Sequence, residues 1–448
     1  MSNPGEADPT PITHVRDCAA WFAAGAKPRA QWRIGTEHEK FGFRRSDLSP
    51  PPYEPGGIRA LLEALAERGW QPILDSGRPI GLKRGGASIS LEPGGQLELS
   101  GAPLPDLHAT RAELAEHFAE VRAVAEPLGI GFASLGFHPL ARREDMPWMP
   151  KARYAIMRGW MPQVGALGLD MMLRTCTVQV NLDFESEADM AEKFRLSLAL
   201  QPVATALFAN APFLEGRPSG YLSLRARAWT DTDAARTGIP ACVFEPGFGF
   251  ERYAEFVLDV PMYFVMREGR LHDATGATFR DFLAGRHPKL AGVAPTIGDF
   301  ADHVTTVFTD VRLKRYLEMR GSDAGDARML LAEPALWVGL LYDDAAQKAA
   351  AALVRDWRVE EVAALRAEVP RLALAARFRG RPLQAIAREV VAIAREGLRA
   401  RGLGEESYLD PLAEIAETGI TQAERWLQRV EREWGGDVRP VLAAAAVC

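Results

Sequence analysis

Cysteine is scarce in this sequence. Its 448 residues include four cysteines, and none of them forms a Cys-x-x-Cys pair or has histidine at zinc spacing. Such pairs build disulfide frameworks in small secreted domains and structural zinc sites, so the sequence predicts neither. The first 17 residues contain Pro, Glu and Asp and no apolar segment, which is untypical of a signal or transit peptide. We therefore expect free thiols and a cytoplasmic location.

Long hydrophobic runs and an excess of positive charge are also lacking. The longest uncharged stretch, 198–214, contains Pro202 and Pro212 and is short for a membrane-spanning helix, so it predicts a buried helix. The formal net charge of -6 argues against bulk binding to nucleic acids or anionic membranes, because such binding depends on a positive field. The expected partners are small molecules, with no nucleic acid and no membrane.

Two common catalytic motifs are missing. There is no Gly-x-x-x-x-Gly-Lys-[Ser/Thr] loop, which excludes a P-loop as the cradle for phosphate. There is no Gly-x-Ser-x-Gly elbow either, which argues against a hydrolase nucleophile of that type. The composition, 47% hydrophobic and 25% charged, is that of an ordinary globular protein. Any catalytic chemistry must therefore depend on residues outside these two motifs.

Helical and strand-like segments alternate irregularly along the chain. Apolar residues at helical spacing predict helices at 57–68 and 108–126, and the Ala-, Leu-, Arg- and Glu-rich region 333–448 is expected to be mainly helical. Because no regular βαβ repeat is present, the pattern favours an α+β fold with an antiparallel sheet. We predict a loose tail at 1–12 and a single domain at 13–448.

Acidic residues recur two positions apart in the strand-like segments. Side chains at i and i+2 point to the same face of a strand, so Glu37 and Glu39 share a face. Farther on, the Pro-Gly-Gly run at 93–95 predicts a turn between two short strands. That hairpin would bring Glu92 and Glu98 into one neighbourhood. Taken alone, each segment also fits an ordinary solvated strand face.

Two later segments have the same alternation. Gln179 and Asn181 lie on the polar face of a strand predicted at 175–184. The segment 311–320 is predicted as one strand with a charged face. The side chains on that face would be Arg312, Lys314, Tyr316, Glu318 and Arg320. A salt-bridged surface strand is the alternative interpretation of this segment.

Together the segments predict one sheet whose polar face gathers five carboxylates. These are Glu37, Glu39, Glu92, Glu98 and Glu318. Without cations, their convergence would be strongly destabilising. Oxygen-only ligands suit hard cations such as Mg²⁺ or Mn²⁺. With Arg and Lys nearby, the pattern is typical of a metal–polyphosphate site, in which cations stabilise the charge on a transferred phosphoryl group.

Four long motifs resemble the plant-type and proteobacterial glutamate–cysteine ligases, over nearly the whole chain. In chain order they are RIGTEHEKFGF at 33–43, SLEPGGQLELSGA at 90–102, DMMLRTCTVQVNLD at 170–183 and RLKRYLEMRG at 312–321. The resemblance implies a glutamine-synthetase-like antiparallel catalytic sheet flanked by helices. It also implies ATP-dependent ligation of the γ-carboxylate of L-glutamate to the amine of L-cysteine through a γ-glutamyl phosphate, with Mg²⁺ as cofactor. This is the first step of glutathione biosynthesis.

The resemblance also implies roles for individual residues. The five glutamates match metal ligands of the family. Arg320 matches the arginine that contacts the transferred phosphate, and Lys314 and Arg320 are expected to contact the nucleotide. Arg153 and Arg225 lie in segments that resemble substrate-carboxylate contacts of the family. Gln179 and Asn181, from the polar face of their strand, are also expected to contact the substrates.

The cysteine pairs that form regulatory disulfides in plant members have no counterpart here. The equivalent positions are Arg111, Ala274, Lys289 and Ala332. The plant thiol switch is therefore not expected, nor is a dimer tied to it, and we predict a monomer or a weak homodimer. The terminal residue, Cys448, is expected to be mobile.

Three other hypotheses use the same residues. A related carboxylate–amine ligase would keep the five glutamates and use a different amine. A phosphotransferase acting on a guanidino substrate would release no acyl phosphate. A divalent-cation-binding regulatory protein would bind Mg²⁺ without turnover. Phosphate release from ATP plus glutamate, with and without cysteine, separates these hypotheses.

Overall fold

The computed structural model describes residues 8–448. Nine of the strands in this range form one large sheet, and the others form two-stranded pairs. In chain order the strands are β1 (Ile34–Arg44), β2 (Gln71–Asp75), β3 (Arg78–Arg84), β4 (Ala87–Leu91), β5 (Leu97–Ser100), β6 (Ile130–Ala133), β7 (Thr177–Leu182), β8 (Phe213–Leu214), β9 (Arg217–Pro218), β10 (Thr237–Gly238), β11 (Phe264–Arg267), β12 (Arg270–Asp273), β13 (Phe308–Thr309), β14 (Val311–Leu313), β15 (Leu317–Asp323), β16 (Arg377–Phe378) and β17 (Arg381–Pro382).

Helices precede, interrupt and follow the strands of the large sheet. They are α1 (Val15–Ala23), α2 (Ile58–Ala66), α3 (Leu107–Ala125), α4 (Ala152–Val164), α5 (Gly168–Arg174), α6 (Glu187–Leu207), α7 (Leu224–Trp229), α8 (Phe250–Leu258), α9 (Phe279–Leu283), α10 (Ile297–Val304), α11 (Ala327–Leu341), α12 (Asp344–Val354), α13 (Val359–Leu372), α14 (Leu383–Arg401), α15 (Asp410–Thr418), α16 (Gln422–Arg432) and α17 (Pro440–Ala444). The helices predicted near 57–68 and 108–126 and the mainly helical region after 333 are thus present.

The large sheet is antiparallel. Its strands follow one another in the order β14-β15-β7-β1-β5-β4-β3-β2, and β6 pairs with the second half of β1. Each pairing between neighbours in this sheet is antiparallel. The predicted α+β fold with an antiparallel sheet and flanking helices is confirmed.

One face of the large sheet is apolar and covered by helices. Val178 and Val180 on β7 and Leu97 and Leu99 on β5 are at most 2% exposed and belong to the main hydrophobic cluster. Helices α3, α6 and α11 pack against strands of this sheet. Most of the uncharged stretch 198–214 lies in α6, where it is buried as predicted. Burial of one face leaves the polar face of the same strands for the site.

The segment 311–320 differs from its prediction, because it forms a hairpin rather than one strand. Strands β14 and β15 pair antiparallel, and Lys314 N donates to Tyr316 O across the turn over 2.8 Å. The turn contains no Gly, Pro, Asn or Asp, so the sequence gives no turn signal there. Its backbone packs on Gly25, where a Cβ would come within 2.4 Å of Arg315 O. This reversal therefore depends on a contact with a distant part of the chain.

Both ends of the described chain are attached to the rest of the structure. Ile12 N donates to Pro295 O over 3.0 Å, so residues 8–12 of the predicted tail are held in place, whereas 1–7 lie outside the described residues. Cys448 is 3% exposed and its carbonyl accepts from Phe132 N over 2.7 Å, which corrects the expectation of a mobile terminus. In the described part of the chain, no helix has the length and apolarity needed to cross a membrane.

Candidate active site

Glutamates from neighbouring strands meet on the polar face of the large sheet. Glu39 on β1 lies directly opposite Glu98 on β5, and Glu37, two positions earlier, points to the same face. Glu92 lies in the turn between β4 and β5. All four are at most 7% exposed. The structure therefore brings these glutamates together, while their role as metal ligands stays a prediction.

The turn that carries Glu92 is tight. Glu92 N donates to Gln96 O and Gly95 N donates to Glu92 O, each over 2.9 Å. Gly95 has a φ of 85°, which is unfavourable for residues with a Cβ. A Cβ at Gly94 would lie 2.3 Å from Leu173 O. Both glycines are therefore needed for the predicted hairpin, which is confirmed.

Polar neighbours hold two of these carboxylates in place. The hydroxyls of Ser90 and Ser100 donate to the two oxygens of Glu98 over 3.0 and 2.9 Å. Asn181 Nδ2 donates to Glu37 Oε1 over 2.9 Å. These hydrogen bonds fix the carboxylates on the face where the alternation of the sequence places them.

Mutual repulsion makes this face favourable for a bound cation. Burial, together with repulsion from Glu92 and Glu98, raises the pKa of Glu39 to about 8. Burial and repulsion from Glu318 and Glu98 raise the pKa of Glu37 as well. In the described part of the chain, no three acidic, histidine or cysteine side chains converge closely enough to hold an ion by themselves. The donor set nevertheless fits a hard cation whose coordination is completed by oxygens from a substrate.

Glu318 is held by cations at the edge of the polar face. It lies opposite Arg312 across the β14–β15 hairpin, and Arg312 donates to both of its carboxylate oxygens. Lys314 Nζ lies 3.1 Å from Glu318 Oε1. Burial by itself would raise the pKa of Glu318, but Arg312 and Lys314 outweigh it and lower that pKa. Glu318 is therefore ionised, and its role as a metal ligand stays a prediction.

Two arginines approach the same face: the buried Arg225 from α7 and the partly buried Arg320 from β15. Arg320 Nη1 donates to Gln179 Oε1, and Arg225 Nη2 donates to the carbonyl of Arg320 over 2.8 Å. Burial and the nearby Arg312 lower the pKa of Arg320 to about 10. Arg320 thus remains charged at neutral pH, and its hydrogen bond to Gln179 fixes its position.

Two cavities give access to these groups. The narrower one is lined, among others, by Glu39, Glu92, Gln179, Arg225 and Arg320. The wider one, of about 370 Å³, is lined, among others, by Lys27, Arg33, Glu37, Asn181 and Tyr316. Acidic and basic groups therefore share the same space, an arrangement that suits an anion bound together with a cation.

A family model describing glutamate–cysteine ligase family 2 matches residues 33–444. The chain belongs to this family. It is 54% identical to the chloroplastic glutamate–cysteine ligase of Brassica juncea over 433 residues, which cover 96% of this chain and 84% of the relative. The corresponding enzyme of Arabidopsis thaliana is also 54% identical, over 96% of this chain and 82% of its own length.

A solved structure with a similar fold supports the architecture. The glutamate–cysteine ligase of Francisella tularensis, crystallised in complex with AMP, superposes with a TM-score of 0.54 and covers 92% of this chain and 89% of its own. Its sequence is 11% identical, so the likeness concerns the fold alone.

These comparisons confirm the resemblance seen in the sequence and the class of enzyme that it implied, a glutamate–cysteine ligase. They overturn the expected cytoplasmic location, because the relatives from Brassica juncea, Arabidopsis thaliana and Medicago truncatula are chloroplastic. The oligomeric state stays a prediction.

The residues that are expected to contact the substrates do not all lie in the same cavity. Arg225 and Gln179 line the narrower cavity, and Asn181 lines the wider one. Arg153 lies on α4 with its guanidinium 5.3 Å from the ring centre of Phe264. It is absent from the described lining of both cavities, and its role in substrate binding stays a prediction.

Sequence reasoning missed two partners of the site. Arg312 was placed on the charged face, but its pairing with Glu318 depends on the unforeseen hairpin. Asp323, at the end of β15, was not singled out, although it lies near Arg225. It follows Arg320 by three positions, and a closer look at the acids flanking that arginine could have found it.

Proposed function

We propose that this member of the family is an ATP-dependent ligase that joins the γ-carboxylate of L-glutamate to the amine of L-cysteine, the first step of glutathione biosynthesis. The observation that carries the proposal is the narrower cavity, where buried acids and two arginines line one space. Glu39 and Glu92 line this cavity together with Arg225 and Arg320. Acids can hold the cation that accompanies a nucleotide, and arginines can bind the carboxylate and phosphoryl oxygens.

The metal of this reaction would be Mg²⁺, or Mn²⁺ with the same oxygen ligands. The residues that would hold it are Glu37, Glu39, Glu92, Glu98 and Glu318. When bound, the ion neutralises and orients phosphate oxygens. Mg²⁺ is commonly bound by one or two carboxylates together with substrate phosphates. That mode agrees with acids that repel one another but form no closed cage.

In the first step, an oxygen of the γ-carboxylate of glutamate forms a bond to the γ-phosphorus of ATP. The bond from that phosphorus to the bridging oxygen breaks, and ADP leaves with the electron pair. Arg320, held by Gln179, donates to the oxygens of the transferred phosphoryl group. A cation fixed in advance stabilises the developing charge without further reorganisation. Lys314, beside Glu318, supplies the second cation for the nucleotide.

In the second step, the amine nitrogen of cysteine attacks the acyl carbon of γ-glutamyl phosphate. The bond from that carbon to the phosphate oxygen breaks, inorganic phosphate leaves, and the amine loses a proton. Phosphorylation is needed because a carboxylate is a poor electrophile at neutral pH. No nucleophile of the protein is required. Arg225 binds the carboxylate of a substrate in the narrower cavity.

The test is phosphate release from ATP by the purified protein with L-glutamate, with and without L-cysteine, and mass spectrometry of the product. We expect ADP, phosphate and γ-glutamylcysteine in equal amounts, only when cysteine is present. A faster reaction with another amine would favour a related ligase, and a phosphorylated acceptor would favour a phosphotransferase.

A matched pair of variants makes this assay specific to the site. Glu98→Gln removes a buried carboxylate of the polar face, whereas Glu116→Gln removes one whose side chain is 65% exposed. We expect turnover to be lost in the first and kept in the second. Equal rates for Glu98→Gln and wild type across a Mg²⁺ titration would remove Glu98 from the metal site.

A further inference from the structure

Asp323 is a fully buried acid that the mechanism above does not use. It is 0% exposed and lies at the end of β15. Its Oδ1 accepts from Ser223 Oγ and its Oδ2 accepts from Asn210 N, each over 2.8 Å. Arg225 Nη1 lies 3.9 Å from Oδ1. The carboxylate therefore connects three segments of the chain, one of which carries Arg225, a residue that lines the narrower cavity.

These contacts lead directly to the arginines of the site. Ser223 caps the first turn of α7, where its Oγ accepts from Ala226 N over 3.1 Å. Arg225 follows two positions later and donates to the carbonyl of Arg320 over 2.8 Å. Asp323 thus holds the start of α7 through Ser223 and the guanidinium of Arg225 through its charge. Arg225 in turn holds the backbone of Arg320.

The space around the carboxylate leaves it little freedom. A Cβ at Gly136 would lie 2.4 Å from Asp323 Cγ, so the backbone of that glycine packs directly on the acid. Gly136 N donates to Asn210 O over 3.0 Å, which ties the same loop to the residue that donates to Asp323. A buried charge that is fixed in this way gives its partners one position.

We infer that Asp323 is a positioning residue for the ligation reaction: it sets the place of Arg225, and through Arg225 that of Arg320, without touching substrate. The inference rests on the proposed function. It assigns the acid a purpose beyond holding Ser223 at the start of α7, because that hydrogen bond alone requires no arginine partner.

The first experiment compares Asp323→Asn with a matched control, Asp299→Asn. Asp299 is also a buried acid that accepts from a hydroxyl and a backbone N–H and pairs with an arginine, but its partners are Thr296 and Arg267. Displacing a catalytic group by about 1 Å can cost about 10²-fold in rate. We expect kcat to fall about 10- to 10²-fold in Asp323→Asn, with a higher KM for glutamate and little change in KM for ATP. Asp299→Asn should keep both constants, and equal kinetics in the two variants would overturn the inference.

A double-mutant cycle with Arg225→Met tests whether Asp323 acts through Arg225. If it does, adding Asp323→Asn to Arg225→Met changes kcat by no more than about twofold, because residues in one network are not additive. Independent effects that multiply would overturn the inference. If Asp323→Asn fails to fold, Ser223→Ala replaces it in the cycle. We expect Ser223→Ala to lower kcat severalfold. Wild-type kcat and KM in Ser223→Ala would then overturn the inference.

Calorimetric binding of L-glutamate separates this inference from the proposed function. We expect Asp323→Asn to bind glutamate about tenfold more weakly than wild type does, whether or not turnover occurs. Wild-type binding without turnover would overturn the proposed function alone. If wild type turns over and Asp323→Asn binds glutamate as tightly as wild type does, the inference alone is overturned. If wild type does not bind glutamate, both are overturned.

Discussion

Arg312 holds both carboxylate oxygens of Glu318 from the facing strand of a hairpin, and the two side chains are 2% and 0% exposed. Arg312 also donates to the carbonyls of Thr305 and Val307. The pair therefore ties the edge of the catalytic sheet to the chain segment that precedes β14. A buried pair of this kind does not stabilise a fold by much, but losing one partner leaves an uncompensated charge.

Arg312→Met is expected to lower the free energy of unfolding by about 3–5 kcal/mol, because Glu318 would remain buried without its main partner. Urea denaturation followed by circular dichroism measures the change. Arg59→Met is the control, since Arg59 pairs with Glu63 where both side chains are about half exposed, and exposed pairs contribute about 0–1 kcal/mol. Similar losses in both variants would show that Glu318 does not need Arg312.

Stability without divalent cations is expected to fall as the pH rises. Burial and repulsion from Glu92 and Glu98 raise the pKa of Glu39 in the folded state from its ordinary value of 4.5 to about 8. The stability that the protonated carboxyl group contributes is therefore fully present below the lower pKa and is lost as the pH rises through the higher one. Between pH 5 and 8 the free energy of unfolding should decrease by about 1–3 kcal/mol. Denaturation in EDTA at several pH values measures this.

Mg²⁺ should restore the lost stability at pH 8, and Glu39→Gln should be more stable than wild type there in EDTA. Both expectations follow from relief of the same repulsion. A stability that rises from pH 5 to 8 in EDTA, or one that Glu39→Gln leaves unchanged, would contradict the repulsive arrangement of the glutamates.

Arg320→Lys is expected to lose much of kcat while its affinity for ATP changes little. Lysine keeps the charge but lacks the planar fork that contacts Gln179 and that, in the proposed mechanism, also contacts the phosphoryl group. The loss should be about 10²–10⁴-fold, as for other preorganised donors. Steady-state kinetics and nucleotide binding measure the two effects. A lower melting temperature with an intact kcat would instead indicate a structural arginine.

Activity is expected to be insensitive to mild oxidation. The cysteines at 18, 176 and 448 are buried, and Cys242 is half-buried. Burial raises the pKa of Cys242 to about 11, which keeps it protonated and unreactive. Initial rates after incubation with oxidised or reduced dithiothreitol, with the oxidant removed before the assay, should agree. A reversible difference that disappears in Cys242→Ser would reveal a thiol switch at that residue.

The strand alternation in the sequence determined which side chains share the polar face. Period-2 spacing placed Glu37 with Glu39, and a turn marked by two glycines placed Glu92 with Glu98. Local sterics decide these features, because side-chain direction on a strand and the turn conformation depend on a few adjacent residues. The family motifs in the sequence also indicated the class of enzyme.

Only the tertiary structure decided the partners of the charged side chains. The reversal after Leu313 depends on a contact with Gly25, and it turned a supposed single strand into the hairpin that pairs Arg312 with Glu318. The place of Asp323 behind Arg225 likewise depends on segments about 100 positions apart. Such contacts are set by packing between distant segments, and periodicity within one segment carries no information about them.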